Sequence, residues 1–416
     1  MRRSTWHVRT LVVVVGWLVA ALVAGFLSLS HDVSTWLLVH LLLLGAVSNA
    51  ILIWSSHFSA AMLRLPTSTR HAEEIARLVL FNVGAVAVVI GMTAIDVPMT
   101  AWFVAIAGGA VVAEVAIWHA IDLMRRIRRA LPSRFGSTVR YYVVAAALLP
   151  LGIIIGLLMA PDDLPENRHA QLALAHVSIN LLGWVGITVV GTLVTLWPTI
   201  LHTQVAPTAE RAARRALPIL AVSVLALAGG ALLGSRPISV VAVAGYLAGL
   251  CISGAPRVAE ARRRPPTTFA TLSVLAAAAW FVGCIVALGA ILVTAPDWEE
   301  AAETADRLGL PLLLGFAAQL LVGALSFLVP VVLGGGPSTA RATNRILNRF
   351  TVLRLALLNV ALVVALIPVS DAVRQASTVI AGLALASFLP LVISAVLIAR
   401  RSTPELPLPH QPTAAS

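Results

Sequence analysis

The sequence predicts an all-α polytopic membrane protein of 12 transmembrane helices, built as three pseudo-equivalent four-helix repeats with both termini cytoplasmic. Three observations predict it. Hydrophobic residues make up 59% of the 416 residues and charged ones 11%, with a mean hydropathy of +0.94. Such a chain has too little polar surface to face water on all sides and must be solvated by lipid. A small-residue helix motif echoes at Gly45, Gly183 and Gly323, at intervals of 138 (183 minus 45) and 140 (323 minus 183), as expected of one unit used three times. Finally, the arginines divide sharply between alternate loops.

A span needs about 20 apolar residues to cross a hydrocarbon core of about 30 Å. Stretches of that kind run near 11–29, 33–54, 75–95, 98–123, 139–160 and 168–197. Six more follow near 214–234, 236–254, 267–294, 306–333, 350–369 and 373–399. Divided by three, they give repeats of roughly 1–135, 136–265 and 266–400 in a single transmembrane domain of 1–400, with the echoed motifs on the second, sixth and tenth helices. The first stretch follows Arg2 and Arg3 as a signal peptide would, but no convincing cleavage site is evident and the repeat requires it as helix one. Segments 55–74, 255–266, 295–306 and 334–349 read as loops. The Pro- and Ser-bearing tail 401–416 reads as disordered and cytoplasmic.

Every one of the 29 basic residues is arginine. Only Arg168, Arg236, Arg307 and Arg374 fall on one side of the predicted topology, leaving 25 on the other, so the positive-inside rule places both ends in the cytoplasm. Acidic residues collect opposite, at Asp162, Asp163, Glu166, Asp297, Glu299, Glu300, Glu303 and Asp306. The net charge of +11 is therefore an orientation signal matched to anionic lipid, not a nucleic-acid footprint. Trp36, Trp102 and Trp298 lie near outer span ends and Trp54, Trp118 and Trp197 near inner ones, as in an aromatic belt. Cys251 and Cys284 fall in separate helices without metal or disulfide spacing and read as packing residues.

An ionisable side chain inside hydrocarbon is costly, so each one is a functional candidate. His40 and His176 lie seven or eight residues inside the outer ends of the second and sixth helices, roughly 10 to 12 Å below the outer surface at a rise of about 1.5 Å per residue. Two imidazoles at one level suit axial haem ligation, or one haem and one metal ligand. The alternative is interhelical hydrogen bonding, shared with Asn49, Asn82, Asn180, Gln319 and Asn359. His31, His169, His57, His71 and His202 lie at helix ends where water satisfies them. His119 and Asp122, three apart beside Arg125 and Arg126, read as an interfacial anchor. Glu114 lies too deep in the fourth helix to snorkel, and is expected protonated, paired or in a water-filled cavity, as a proton or quinol-headgroup contact. The spacings Gly152 to Gly156, Gly230 to Gly234 and Gly245 to Gly249 permit close helix approach, within the bundle or between copies.

The segments HLLLLGAVSNAILIWSSHF from His40, AHVSINLLGWVGITVVGTLVTLWPTILH from Ala175 and QLLVGALSFLVPVVLGGGP from Gln319 resemble subunit I of the haem-copper oxidases. The closer likeness is to its degenerate relatives, the NnrS-like proteins and the membrane domain associated with actinobacterial multicopper oxidases or copper nitrite reductases. The resemblance implies a bacterial plasma membrane, a haem ligand at His40 and a metal ligand at His176, with haem b or copper as cofactor. It also departs from the pattern: the seventh helix has no histidine, the tenth offers Gln319, the residue four after His176 is Asn180, and Ser178 stands where the relatives show a second histidine. The implied protein has no binuclear oxidase centre of its own and serves as an electron-transfer or metal-handling partner of an outer-face cupredoxin-type oxidase or nitrite reductase. Two other readings remain: a transporter lined by Glu114 and helical amides, disfavoured because Pro150, Pro330 and Pro390 lie toward span ends and the repeats share one orientation, and a cofactor-free membrane scaffold.

Overall fold

The computed structural model describes residues 3–65, 71–94, 98–131, 135–160, 164–334 and 336–401; the tail from 402, and with it Arg2, Arg70, Arg134, Asp162 and Asp163, lies outside the described residues. Among the described residues the structure is helical without strands, and 12 helices are long and apolar enough to cross a membrane. In chain order the spans are Thr10–Leu27, Thr35–Met62, Ala72–Thr93, Met99–Arg129, Gly136–Met159, Glu166–Ile200, Ala209–Leu232, Arg236–Arg263, Phe269–Thr294, Pro311–Leu333, Gly336–Leu366 and Asp371–Arg401. The eleventh is interrupted at Phe350, which takes a left-handed φ of 55° between the helices Gly336–Leu347 and Thr351–Leu366.

The segments expected as loops are largely helical. The second span continues to Met62 and the eighth to Arg263, while Trp298–Asp306 and Gly336–Leu347 form short helices of their own. Local capping explains one of them: Asp297 accepts from the Glu300 backbone N–H at 2.9 Å, satisfying a free donor at the helix start. Pro150 is also placed differently from expectation, near the middle of a continuous fifth helix, Gly136–Met159. Neighbouring helices tolerate such a proline by covering the backbone groups it frees.

The three echoed helices are the innermost. Inward-facing residues make up 56%, 72% and 67% of the most apolar windows of the second, sixth and tenth spans, and no more than 44% elsewhere. Each also carries a π-helical stretch, at Leu41–Val47, Ser178–Ile187 and Pro311–Ala318. A π turn holds an extra residue per turn, is rare, and tends to occur where a helix must reshape itself for function.

Glycines in these wide turns receive side chains from neighbouring spans. A Cβ on Gly45 would stand 2.4 Å from the Trp17 ring, and one on Gly315 would stand 2.8 Å from the Trp280 ring. Each indole is then fixed by an amide. Trp17 Nε1 donates to Asn82 Oδ1 at 2.6 Å, and Trp280 Nε1 donates to Asn359 Oδ1 at 2.7 Å. In the sixth span the same close approach is apolar, with Leu148 and Val224 against Gly183. The glycine of the tenth span that plays the part of Gly45 is thus Gly315, eight residues before the Gly323 of the sequence echo; Gly323 meets Ser273 instead. The remaining glycine spacings are also spent inside the bundle, Gly230 against Ser239, Gly245 against Ser223 and Gly249 against Leu220.

Because three Trp17 ring atoms lie under 3.0 Å from that Cβ position, Gly45→Ala is expected to destabilise by about 1 to 3 kcal/mol through overpacking. Gly16→Ala in the first span meets nothing within 4 Å and should be neutral or slightly stabilising through helix propensity. Thermal unfolding of both variants in one detergent checks the contrast.

Candidate metal centre

The second and sixth spans bring His40 and His176 together. Their ring centroids stand 6.3 Å apart, with the planes inclined by 36°. Both residues lie just outside the π stretches, His40 directly before Leu41 and His176 two residues before Ser178. Deeper in the bundle the same spans are joined again, where Trp184 Nε1 donates to Ser48 Oγ at 2.9 Å.

Each imidazole is held by a backbone carbonyl. His40 Nδ1 lies 2.7 Å from the Trp36 oxygen and His176 Nδ1 lies 2.9 Å from the Gly152 oxygen. A carbonyl oxygen only accepts, so both Nδ1 atoms carry the proton and both Nε2 atoms keep the lone pair, the tautomer a metal-ligating histidine adopts. Trp36 stacks on His40 at 4.0 Å between centroids, which fixes the ring plane. His176 is shaped from the fifth span. A Cβ on Gly156 would come 2.7 Å from His176 Cε1, and one on Gly152 would come 2.0 Å from Asn180 Oδ1. The spacing of four between those glycines therefore receives the spacing of four between His176 and Asn180. Asn180 Nδ2 lies 3.2 Å from both ring nitrogens of His176, while its Oδ1 is buried without a partner among the described residues.

Two imidazoles at this spacing fit one metal centre between them, whether a bare ion or the iron of a haem. A metal held at about 2 Å from each Nε2 is compatible with centroids 6.3 Å apart, and imidazole suits copper, zinc, iron or nickel. The cradle opened by Gly152 and Gly156 is filled by His176 and Asn180 themselves, and one face of His40 is covered by Trp36. The protein would supply two ligands, since among the described residues no three His, Cys, Asp or Glu side chains converge on a common point.

The other candidates lie apart from the pair. Gln319, one turn inward of Gly315, is 1% exposed, and both its Oε1 and Nε2 lack hydrogen-bond partners. Asn49, one turn inward of Gly45, is fully satisfied: it donates to the Gly45 oxygen at 2.8 Å and exchanges hydrogen bonds with Asn82 at 3.2 and 2.8 Å. Glu114 corrects an expectation. Its side chain is exposed on the outside of the bundle and has no hydrogen bond or ion pair among the described residues, so it neither lines an internal site nor bonds a neighbouring helix there. That removes it from any midplane transport site.

His119 and Asp122 are not an interfacial anchor. They are 1% and 8% exposed, inside a network joining the second, third and fourth spans. His119 Nε2 lies 2.8 Å from Ser55 Oγ, and Arg77 Nη1 lies 3.3 Å from His119 Nδ1. Asp122 pairs with Arg77 at 3.0 Å and with Arg126 at 2.9 Å, and Arg126 reaches Glu74 at 3.2 Å. Among the described residues, two guanidinium groups face two carboxylates, which suits a structural clasp. Arg77, six residues into the third span, is the partner that sequence spacing alone did not supply.

At the N-terminal end of the sixth span, a hydrogen bond with the Glu166 side chain, and then the like charge of that group, hold the carboxyl of the exposed Glu299, on the helix Trp298–Asp306, above the usual carboxylate range. That helix is pinned by Trp298 Nε1 donating to the Gly234 oxygen at 3.2 Å and by Arg236 donating to the Ala295 and Pro296 oxygens. Cys251 and Cys284 are free thiols, the first exposed and the second buried. No family model matches the chain, and no curated protein matches it either.

Asp122→Asn leaves Arg77 and Arg126 without their shared carboxylate, so it should destabilise by about 3 kcal/mol or more, as breaking a buried ion pair does. Glu210→Gln, which breaks the more exposed pair with Arg214, should change stability by less than about 1 kcal/mol. Unfolding midpoints measured side by side decide whether the network is a structural clasp.

Proposed function

We propose that this polytopic membrane protein binds a single redox-active metal ion, copper foremost, between its second and sixth spans through His40 and His176, and serves in electron transfer or metal handling at the outer face. The observation that carries the reading is the pair of facing imidazoles, each tethered through Nδ1 so that Nε2 remains a ligand. Copper supplies one-electron chemistry at such a site. The chain's own contribution is positional: Trp36 and the Trp36 carbonyl orient one ring, and Gly152, Gly156 and the Gly152 carbonyl orient the other. Asn180 lies against His176 Nε2 and fills its place until a ligand takes it. With the orientation the arginines predict, the pair sits in the outer third of the membrane, within reach of a cupredoxin-type oxidase or nitrite reductase outside. Two protein ligands on this frame favour relay or delivery over a self-contained oxidase reaction.

Metal analysis and an absorption spectrum on one preparation test the reading. Protein from copper- and haem-replete cells should carry close to one copper per chain. His40→Ala and His176→Ala should each abolish it, and Gly156→Ala, which pushes on the His176 ring while keeping both ligands, should lower occupancy severalfold. A Soret band that His40→Ala removes would put haem, not an ion, on the same pair. Protein that is metal-free and colourless would overturn the proposal and leave a cofactor-free scaffold.

A further inference from the structure

Glu114 lies 16 residues from Pro98 and 15 from Arg129, at the middle of a helix of 32 residues; that helix, about 48 Å long, overshoots a core of about 30 Å at both ends and leaves Glu114 about 15 Å from either interface when centred. That is too far for so short a side chain to reach either interface across a core of about 30 Å. It has no hydrogen bond or ion pair among the described residues, and it faces outward on the stripe formed by Phe103, Ala107, Ala110, Ile117 and Ile121. Left to acyl chains, a carboxyl group at this depth is strongly disfavoured. Ala107 and Ala110, on the outer side of the acid, leave a shallow notch where another backbone can approach closely, and Phe103, Ile117 and Ile121 wall it at both ends.

We propose that this face of the fourth span is a docking surface for the membrane helix of a different protein carrying an arginine or lysine level with Glu114. Charge selects the occupant. Every described arginine of this chain that lies within a span is no more than six residues from a helix end, as Arg77, Arg215 and Arg257 illustrate. A second copy in the same orientation therefore has no cation at the level of Glu114. A basic side chain on a foreign helix meets the carboxylate, and the two neutralise each other out of water.

The test uses the full-length protein, donor-labelled in liposomes, and two acceptor-labelled model peptides: a leucine–alanine transmembrane helix with one central arginine, and the same helix with leucine there. Energy transfer should report association of the arginine helix about five- to thirtyfold tighter than of the leucine helix, the range expected for one polar contact in lipid. Glu114→Gln should erase that preference without changing the unfolding midpoint, because among the described residues the exposed side chain makes no hydrogen bond or ion pair. Equal binding of the two peptides, or a preference that survives Glu114→Gln, overturns the proposal. So does self-association between donor- and acceptor-labelled copies that Glu114→Gln abolishes, since it would assign the face to a second copy.

Discussion

An indole lying on a glycine, and tied there by an asparagine of a third helix, is the contact on which the centre of this bundle depends. Hydrocarbon offers no hydrophobic drive between helices, so association rests on close packing and on polar groups that must find partners within the protein. The Trp17, Gly45, Asn82 contact supplies both. The glycine lets the ring reach the backbone, and the amide takes the one polar atom the ring brings with it. Trp280, Gly315 and Asn359 repeat the arrangement in the tenth span. In both places the glycine sits in a π turn, whose extra residue widens the helix where the ring enters.

The same accounting separates structural polar groups from functional candidates. The cluster of Arg77, His119, Asp122, Arg126 and Glu74 is buried and mutually bonded, so it holds three spans together and offers nothing to a ligand. The histidine pair is constrained differently. Its Nδ1 atoms are committed to carbonyls and its Nε2 atoms are not committed to backbone, with only the Asn180 amide beside one of them. Gln319 stands between these cases, as fully enclosed as Asn49 yet without Asn49's partners.

The fold was legible in the sequence because its determinants are collective. Span count follows from apolar run length, which no single residue controls. Helix ends were less legible, since a helix satisfies its own backbone and can run past the hydrocarbon, as the second span does to Met62. The common level of His40 and His176 was legible from depth, because both helices run the same way and each histidine lies a similar distance inside its end; that the two rings face each other follows from helix packing. What shapes the site was not. Gly152 and Gly156 stood out only as a common packing pattern, and the side chains they receive belong to another span. The facing of Glu114 was not legible for a related reason: its depth is a property of one helix, but its facing depends on how the fourth span packs against the third and fifth.

The three central spans share a frame without sharing their chemistry. The indole clasps occupy the second and tenth, where the sixth has Leu148 and Val224 against its glycine. The histidines occupy the second and sixth, where the tenth has Leu310 immediately before its π turn. Only the second span carries both features. Its N-terminal half meets the sixth through imidazoles, while its C-terminal half is locked to the first and third through Asn49 and the Trp17 clasp. The lock begins at Gly45, five residues after His40, which is about 7.5 Å along the axis. A ligand held by His40 would therefore be anchored to the most constrained helix of the first four, with its geometry adjustable mainly from the sixth span, where Asn180 and the glycines of the fifth already set the position of His176.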